Sequence, residues 1–166
     1  MATANKVGAT PFTTVFATPS DREFVMTRTF DAPRTLVFDA FTSAEHLPHW
    51  MLGPQGWTMP VCEIDLRPGG AWRFVWRRAD GTEMEMTGTY REIVPPELLV
   101  HTESWGCDWP ETLVTLTLTE EDGRTTIAQT VRYPSKEARD AAMETGMKDG
   151  ASVSLDRLAD YLSTIA

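Results

Sequence analysis

Three tight turns punctuate residues 57–133, and they limit the kind of sheet this chain can build. Arg67-Pro68-Gly69-Gly70, Ala79-Asp80-Gly81 and Glu121-Asp122-Gly123-Arg124 each separate stretches in which apolar and polar residues alternate. Strands joined by turns this short pair antiparallel, because a parallel crossover needs roughly a dozen or more residues. The alternation predicts strands over 58–66, 71–78, 83–94, 98–105, 111–120 and 125–133, preceded by one at 23–30. Asp31 is placed to cap a helix with Pro33 just inside its start, and Leu36, Val37, Ala40 and Phe41 recur at helical spacing. A second short helix is expected from about Ser43, before a loop marked by Pro54 and Gly56.

The last element reads as one long helix over 135–165, with Ser135 as its N-cap. Met143, Met147, Ala151, Leu155, Leu158, Leu162 and Ile165 fall three or four apart and form a single apolar stripe. Gly146 and Gly150 within it point to a kink or a close approach. Strand, two short helices, six strands and a long helix make an α+β domain in which the helix must cover one face of the sheet. Residues 1–20 read as an N-terminal tail or an extra edge strand, and 21–166 as a single domain.

Composition narrows the function. A net charge of −9 repels phosphate backbones and anionic lipid, so no nucleic-acid partner is expected. No apolar run approaches the roughly 20 residues of a membrane helix, so no membrane insertion is expected. The first residues lack a basic segment leading into an apolar core, which points to a cytoplasmic protein, either monomer or homodimer. In that setting Cys62 and Cys107 are expected to be free thiols. Without Gly-x-Ser-x-Gly, a phosphate loop, a dinucleotide fingerprint or His-Glu-x-x-His, the chain announces no cofactor.

One hairpin carries the strongest local signal. Trp72, Phe74 and Trp76 alternate with Arg73, Val75 and Arg77, and Met84, Met86, Gly88 and Tyr90 share a face opposite Glu83, Glu85, Thr87 and Thr89. That face reads either as plain core or as the wall of a cavity. Flexible Met, polar-tipped Tyr and Trp and an inward Gly88 favour a surface that adapts to a guest. His46 and His49 have a metal-compatible spacing, but no third ligand is marked, so no metal site is expected. His101 and Glu103 fall two apart on one strand face, so Glu103 is placed to orient His101 for proton transfer.

Several ordered segments together resemble a known family. They are Phe24-Val-Met-Thr-Arg-Thr-Phe-Asp-Ala-Pro-Arg34, Val37-Phe-Asp-Ala-Phe41, Glu45-His-Leu47, Gly53-Pro-x-Gly-Trp57, Asp65-Leu-Arg-Pro-Gly-Gly-Ala-Trp-Arg73, Gly88-Thr-Tyr-Arg-Glu-Ile-Val-Pro-Pro-Glu97 and Ser154-Leu-Asp-Arg-Leu158. Over about residues 22–163 the chain is similar to the bacterial branch of the family named after the activator of the heat-shock-protein ATPase. That family lies within the START-like, polyketide-cyclase-like (SRPBCC) superfamily. The resemblance implies a helix-grip fold, in which a curved seven-stranded antiparallel sheet grips a C-terminal helix around a cavity and two short helices close one end. It also implies lipids, polyketides or other apolar compounds as ligands. Trp50-Met51-Leu52-Gly53-Pro54 departs from the family's usual Trp-Trp-Gly-Pro segment, which is expected to reshape the cavity entrance.

The resulting expectation is a protein that binds a small apolar molecule such as a lipid, polyketide or aromatic metabolite. Trp72, Phe74, Trp76, Met84, Met86, Gly88 and Tyr90 would line the site from the sheet. Met143, Met147 and Leu155 would line it from the helix, with Trp50 and Trp57 near the mouth. A cofactor-independent cyclase, dehydratase or hydrolase using His101, Glu103 or Tyr90 is the alternative. A chaperone-interaction module would instead need an apolar outer sheet face, where the sequence places mostly Arg, Glu and Thr.

Overall fold

In a computed structural model, residues 12–106 and 108–165 describe an eight-stranded antiparallel sheet with helices against one face. In chain order the strands are β1 (Val15–Ala17), β2 (Glu23–Phe30), β3 (Trp57–Ile64), β4 (Ala71–Arg78), β5 (Glu83–Val94), β6 (Leu98–Glu103), β7 (Thr112–Glu121) and β8 (Arg124–Arg132). The helices are α1 (Arg34–Thr42), α2 (Leu47–Trp50), α3 (Lys136–Met143) and α4 (Met147–Ile165). The spatial order is β1-β2-β8-β7-β6-β5-β4-β3. Every sequential hairpin pairs as the short turns require, and the one long return sets β2 beside β8.

The sheet has eight strands rather than the expected seven, because Val15–Ala17 pairs with β2 and extends one edge. The other edge is β3, where the register slips between Thr58 and Val61. Pro60 sits in that slip; lacking an N–H, it is tolerated in an edge strand where a central ladder would lose a hydrogen bond.

Two expectations about the helices are corrected. Asp31 does not cap α1: Pro33 occupies the N-cap position, with no side-chain cap. The expected single C-terminal helix is two. Ser135 Oγ accepts from the Ala138 N–H and starts α3, but the chain breaks before α4 at Gly146, whose φ of +81° no right-handed helix accommodates. Gly150 is less constrained, since a Cβ there would make only an ordinary contact with Pro54 Cδ at 3.6 Å.

The apolar stripe is consequently used in two ways. Leu155, Leu158 and Leu162 of α4 are buried in a large cluster with α1, α2 and β3–β8, which includes Phe41, Leu47, Trp50, Trp76 and Leu116. Met143, Met147 and Ala151 are only half-buried and pack beside a second, smaller cluster of Phe24, Met26, Val114, Val131, Tyr133 and Ala142. The convex face is polar: Arg73 pairs with Glu63 and Glu85, Arg77 with Glu83, and Thr115, Thr117 and Thr119 follow along β7.

Gly146→Ala separates a broken helix from a continuous one. In a continuous helix Ala would stabilise by about 1 kcal/mol. With a left-handed residue at the break, the same change is expected to destabilise by about 1–2 kcal/mol, measured by urea unfolding.

Candidate functional site

The register decides which side chains look at α3 and α4. Leu99, His101 and Glu103 of β6 lie opposite Leu116, Val114 and Thr112 of β7. Val114 and Leu116 in turn lie opposite Val131 and Gln129 of β8. Leu99, Val114 and Leu116 are buried, so this is the inward face. His101, Glu103 and Gln129 share it at the middle of the sheet, yet all three remain partly exposed. Inward residues of central strands are normally sealed, as their apolar neighbours are. Their accessible surface marks a recess beside Val114 and Val131 of the smaller apolar cluster, the cluster against which the half-buried Met147 and Ala151 pack.

The polar atoms in this recess are largely uncommitted. The Thr102 carbonyl only accepts, so His101 Nδ1, 3.2 Å from it, carries the proton and Nε2 is left as a bare acceptor. Burial holds the imidazole's pKa down at about 4, with the Thr102 carbonyl pulling weakly the other way, so the ring is neutral at pH 7. Burial also raises the Glu103 carboxyl to about 7. Tyr133 is pushed up to about 12 by burial and, secondarily, by Glu103; its hydroxyl donates to Met147 Sδ at 3.6 Å. Among the described residues, neither His101 Nε2, the Glu103 carboxyl nor the Tyr90 hydroxyl has a hydrogen-bond partner. None of them is among the partnerless atoms sealed from solvent, which are Arg28 Nε, Arg34 Nε and Trp72 Nε1.

The expected pairing of Glu103 with His101 is thus corrected: the two share a face, but the Thr102 carbonyl orients the imidazole. The contact is local, between neighbouring residues, and the β5–β6 ladder around it is irregular. Pairing shifts after Tyr90, and the Thr89 N–H donates to Thr102 Oγ1 at 3.0 Å instead of to a backbone carbonyl. Gly88 makes room for this arrangement. A Cβ on it would lie 2.0 Å from the Thr102 carbonyl oxygen and 2.5 Å from the Trp72 ring. The expectation that Gly88 opens empty space is therefore overturned: indole and carbonyl already fill it, and glycine is needed for their close approach.

The other expected wall residues divide. Trp72, Phe74, Trp76, Met86 and Tyr90 face inward and are buried, and Trp72 meets the His101 ring edge-on at 5.4 Å. Met84 does not belong with them, because next to the turn that closes the β4–β5 hairpin it is 43% exposed. Trp50 is not at a mouth: it is buried against Phe41, and its Nε1–H donates to the Ala40 carbonyl at 3.0 Å. Trp57 is half-buried under the Arg78 guanidinium at the edge of the large cluster. Leu155 is sealed in that cluster, which leaves Met143 and Met147 as the helix-side residues with free surface.

The unusual segment 50–54 is tied down. The Arg157 guanidinium donates to the carbonyls of Trp50 (3.0 Å) and Gly53 (3.1 Å), the Gly53 N–H to Ser154 Oγ (2.8 Å), and Trp76 Nε1–H to the Met51 carbonyl (2.7 Å). His46 and His49 both engage Tyr161 of α4. His46 Nδ1 lies 2.6 Å from its hydroxyl, and the His49 ring stacks on it at 5.0 Å. Cys62 is a free, half-buried thiol pushed up to about 11 by burial, and Cys107 lies outside the described residues.

A groove of about 420 Å³ runs over β3–β6, lined by Glu63, Arg73, Thr87, Thr89, Ser104 and Glu111 and reaching Ala71, Trp72, Gly88 and Thr102, two of which, Trp72 and Gly88, are expected wall residues. Its charged lining lies on the outward side of the sheet, and Arg73 there is already paired with Glu63 and Glu85.

Two outcomes follow from this geometry. Gly88→Ala is expected to cost about 3 kcal/mol in chemical denaturation, since a backbone oxygen must move. The pH profile of stability gives the second. The folded state binds more protons at Glu103 than the unfolded state between pH 4.5 and about 7, so stability falls as pH rises through that window. At His101 the folded state binds fewer protons between about 4 and 6.5, so stability rises there. The two contributions oppose. Relative to wild type, Glu103→Gln is expected to be nearly neutral at pH 4 and to gain about 3 kcal/mol by pH 8, at about 1.4 kcal/mol per unit of pKa. His101→Asn removes the rise between pH 4 and 6.5. Urea unfolding at several pH values checks both.

Comparison with known proteins places this geometry. Residues 31–163 match the family described as Activator of Hsp90 ATPase homolog 1-like protein. A crystal structure of a protein from Rhodobacter sphaeroides shares 31% identity with a TM-score of 0.85, covering 92% of this chain and 99% of that one. A Nitrosomonas europaea protein at 20% identity superposes with a TM-score of 0.79 over 89% of this chain and 98% of its own. The AHSA1 protein from Silicibacter pomeroyi, at 21% identity, does so with a TM-score of 0.72 over 87% and 99%. A search of curated proteins finds no match. With its family match spanning most of the sequence and its antiparallel sheet held against a C-terminal helix, the chain belongs to the Activator of Hsp90 ATPase homolog 1-like family and has its helix-grip fold.

Proposed function

We propose that this protein binds a small apolar molecule in the recess between β6–β8 and the α3–α4 segment. The observation that carries the reading is the partial exposure of His101, Glu103 and Gln129 on the inward face of central strands. Two apolar clusters flank them instead of one continuous core. Small-molecule sites have this character, mostly apolar walls with a few convergent polar groups. Met143 and Met147 on the helix side supply flexible, polarisable surface that adapts to a guest. The break at Gly146 supports the reading too, because it lets α3 and α4 take different angles to the sheet and leaves Met147 and Ala151 short of full burial.

The binding reading is favoured over a chaperone-interaction module because the convex sheet face is covered by ion pairs and threonines. No described helix is long and apolar enough to cross a membrane.

Ala151→Phe tests the site. A ring at this half-buried position would occupy the recess, so binding of a fluorescent apolar dye is expected to fall at least roughly tenfold, with the melting temperature unchanged or raised by the added apolar contact. Native mass spectrometry of the freshly purified protein is expected to show a bound small molecule in wild type and none in the variant. Unchanged dye binding in the variant would place the site elsewhere.

A further inference from the structure

We infer that the molecule accommodated in the recess presents a neutral hydroxyl to His101 and that carboxylate-headed apolar molecules are excluded. The inference rests on the binding reading above and specifies its chemistry.

The first support is the fixed tautomer. The Thr102 carbonyl takes the Nδ1 proton, so Nε2 can only accept, and it has no partner among the described residues. Thr102 lies within β6 and its carbonyl fits closely against Gly88, so the acceptor is built into the sheet rather than into a loop. A guest that satisfies it must bring a donor. The second support is the neighbourhood. Glu103, two residues along the same face, adds two further oxygens without a partner. Tyr90, which lies opposite His101 across the β5–β6 pair, offers a free hydroxyl that can donate or accept. A hydroxyl head both donates and accepts, and so matches acceptor and phenol together. A carboxylate brings only lone pairs, which would face that of His101 Nε2 and, wherever Glu103 is ionised, those of Glu103 as well.

The third support is the missing counter-charge. Arg28 is the arginine buried on the inward face. It stands in the register of Ile127, two inward positions along β8 from Val131, which shares the row of His101. It is committed to Asp156 and Thr14 and lies over the Phe30 ring. Arg139 of α3 is engaged by Asp140 and the Ser20 carbonyl. Both of these guanidiniums are already offset by a carboxylate. The one unpaired donor on Arg28, its Nε, is sealed from solvent, and Lys148 beside Met147 is exposed and lies over the Phe16 ring. Among these described groups an anion in the recess finds no uncommitted counter-charge, in a chain of net charge −9.

Three probes with one ring system decide the matter: naphthalene, 2-naphthol and 2-naphthoate, titrated into the full chain at pH 7.5 by calorimetry. The expected order is naphthol tighter than naphthalene by roughly three- to tenfold, as one hydrogen bond allows, and naphthoate weaker than both. In His101→Phe the naphthol advantage is expected to shrink to within about twofold while naphthalene still binds. Because that variant could lose its fold, the wild type carries a second readout: the ¹⁵N shift of His101 Nε2 should move on adding naphthol and stay put with naphthalene. Naphthoate binding as tightly as naphthol, or an unmoved Nε2 shift with naphthol bound, overturns the hydroxyl inference and leaves the apolar site standing. If naphthalene itself fails to bind, the binding reading falls and this inference with it.

Discussion

The structure depends on covering one face of a wide antiparallel sheet with a few helices, of which the C-terminal one runs furthest. The sheet cannot bury its inner face alone, and α4 is the element long enough to lie along it. Leu155, Leu158 and Leu162 close the C-terminal part of the contact completely, whereas Ala151 and Met147, one and two turns earlier, do not. Cover that is complete at Leu155, Leu158 and Leu162 and incomplete at Met147 and Ala151 leaves a sealed core with accessible inward residues beside it.

Polar contacts set where α4 sits. Arg28, nearly inaccessible on β2, is neutralised by Asp156. Removing one partner of such a pair leaves an uncompensated buried charge, which makes the contact a strong determinant of position even where its net contribution to stability is small. One residue on, Arg157 binds the carbonyls of Trp50 and Gly53, and Ser154 accepts from the Gly53 N–H. The Ser-Leu-Asp-Arg-Leu segment therefore alternates anchors with core: Leu155 and Leu158 pack inward while Ser154, Asp156 and Arg157 lock the helix to the loop after α2 and to the sheet.

Much of the fold was legible in the residues. Gly-containing turns between alternating stretches specify antiparallel hairpins, and the strands after residue 57 lie within a few positions of their expected bounds. The inward set Trp72, Phe74, Trp76, Met86 and Tyr90 follows from period two alone. Met84 escaped the same rule because alternation assigns a face, not a depth: at the hairpin end nothing lies above it. Trp50 was misplaced for the converse reason, since its burial depends on Phe41 and the Ala40 carbonyl from another helix. Val15–Ala17 is too short for periodicity to tell a strand from a tail.

By itself the sequence determined the fold class, the hairpin pairings and which face of each strand is apolar, because these follow from local spacing and turn geometry. It also brought His101 and Glu103 to one face. What only the tertiary structure decided is how those groups are wired. His101 is oriented by the neighbouring Thr102 carbonyl rather than by Glu103, and that carbonyl is available because Gly88, on the adjacent strand, has no Cβ to collide with it. The single expected helix became two because Gly146 takes a positive φ, an option glycine has at any position and exercises only where packing favours the break. Register slips, close backbone approaches and incomplete helix cover all arise between segments distant in the chain, so no local pattern records them.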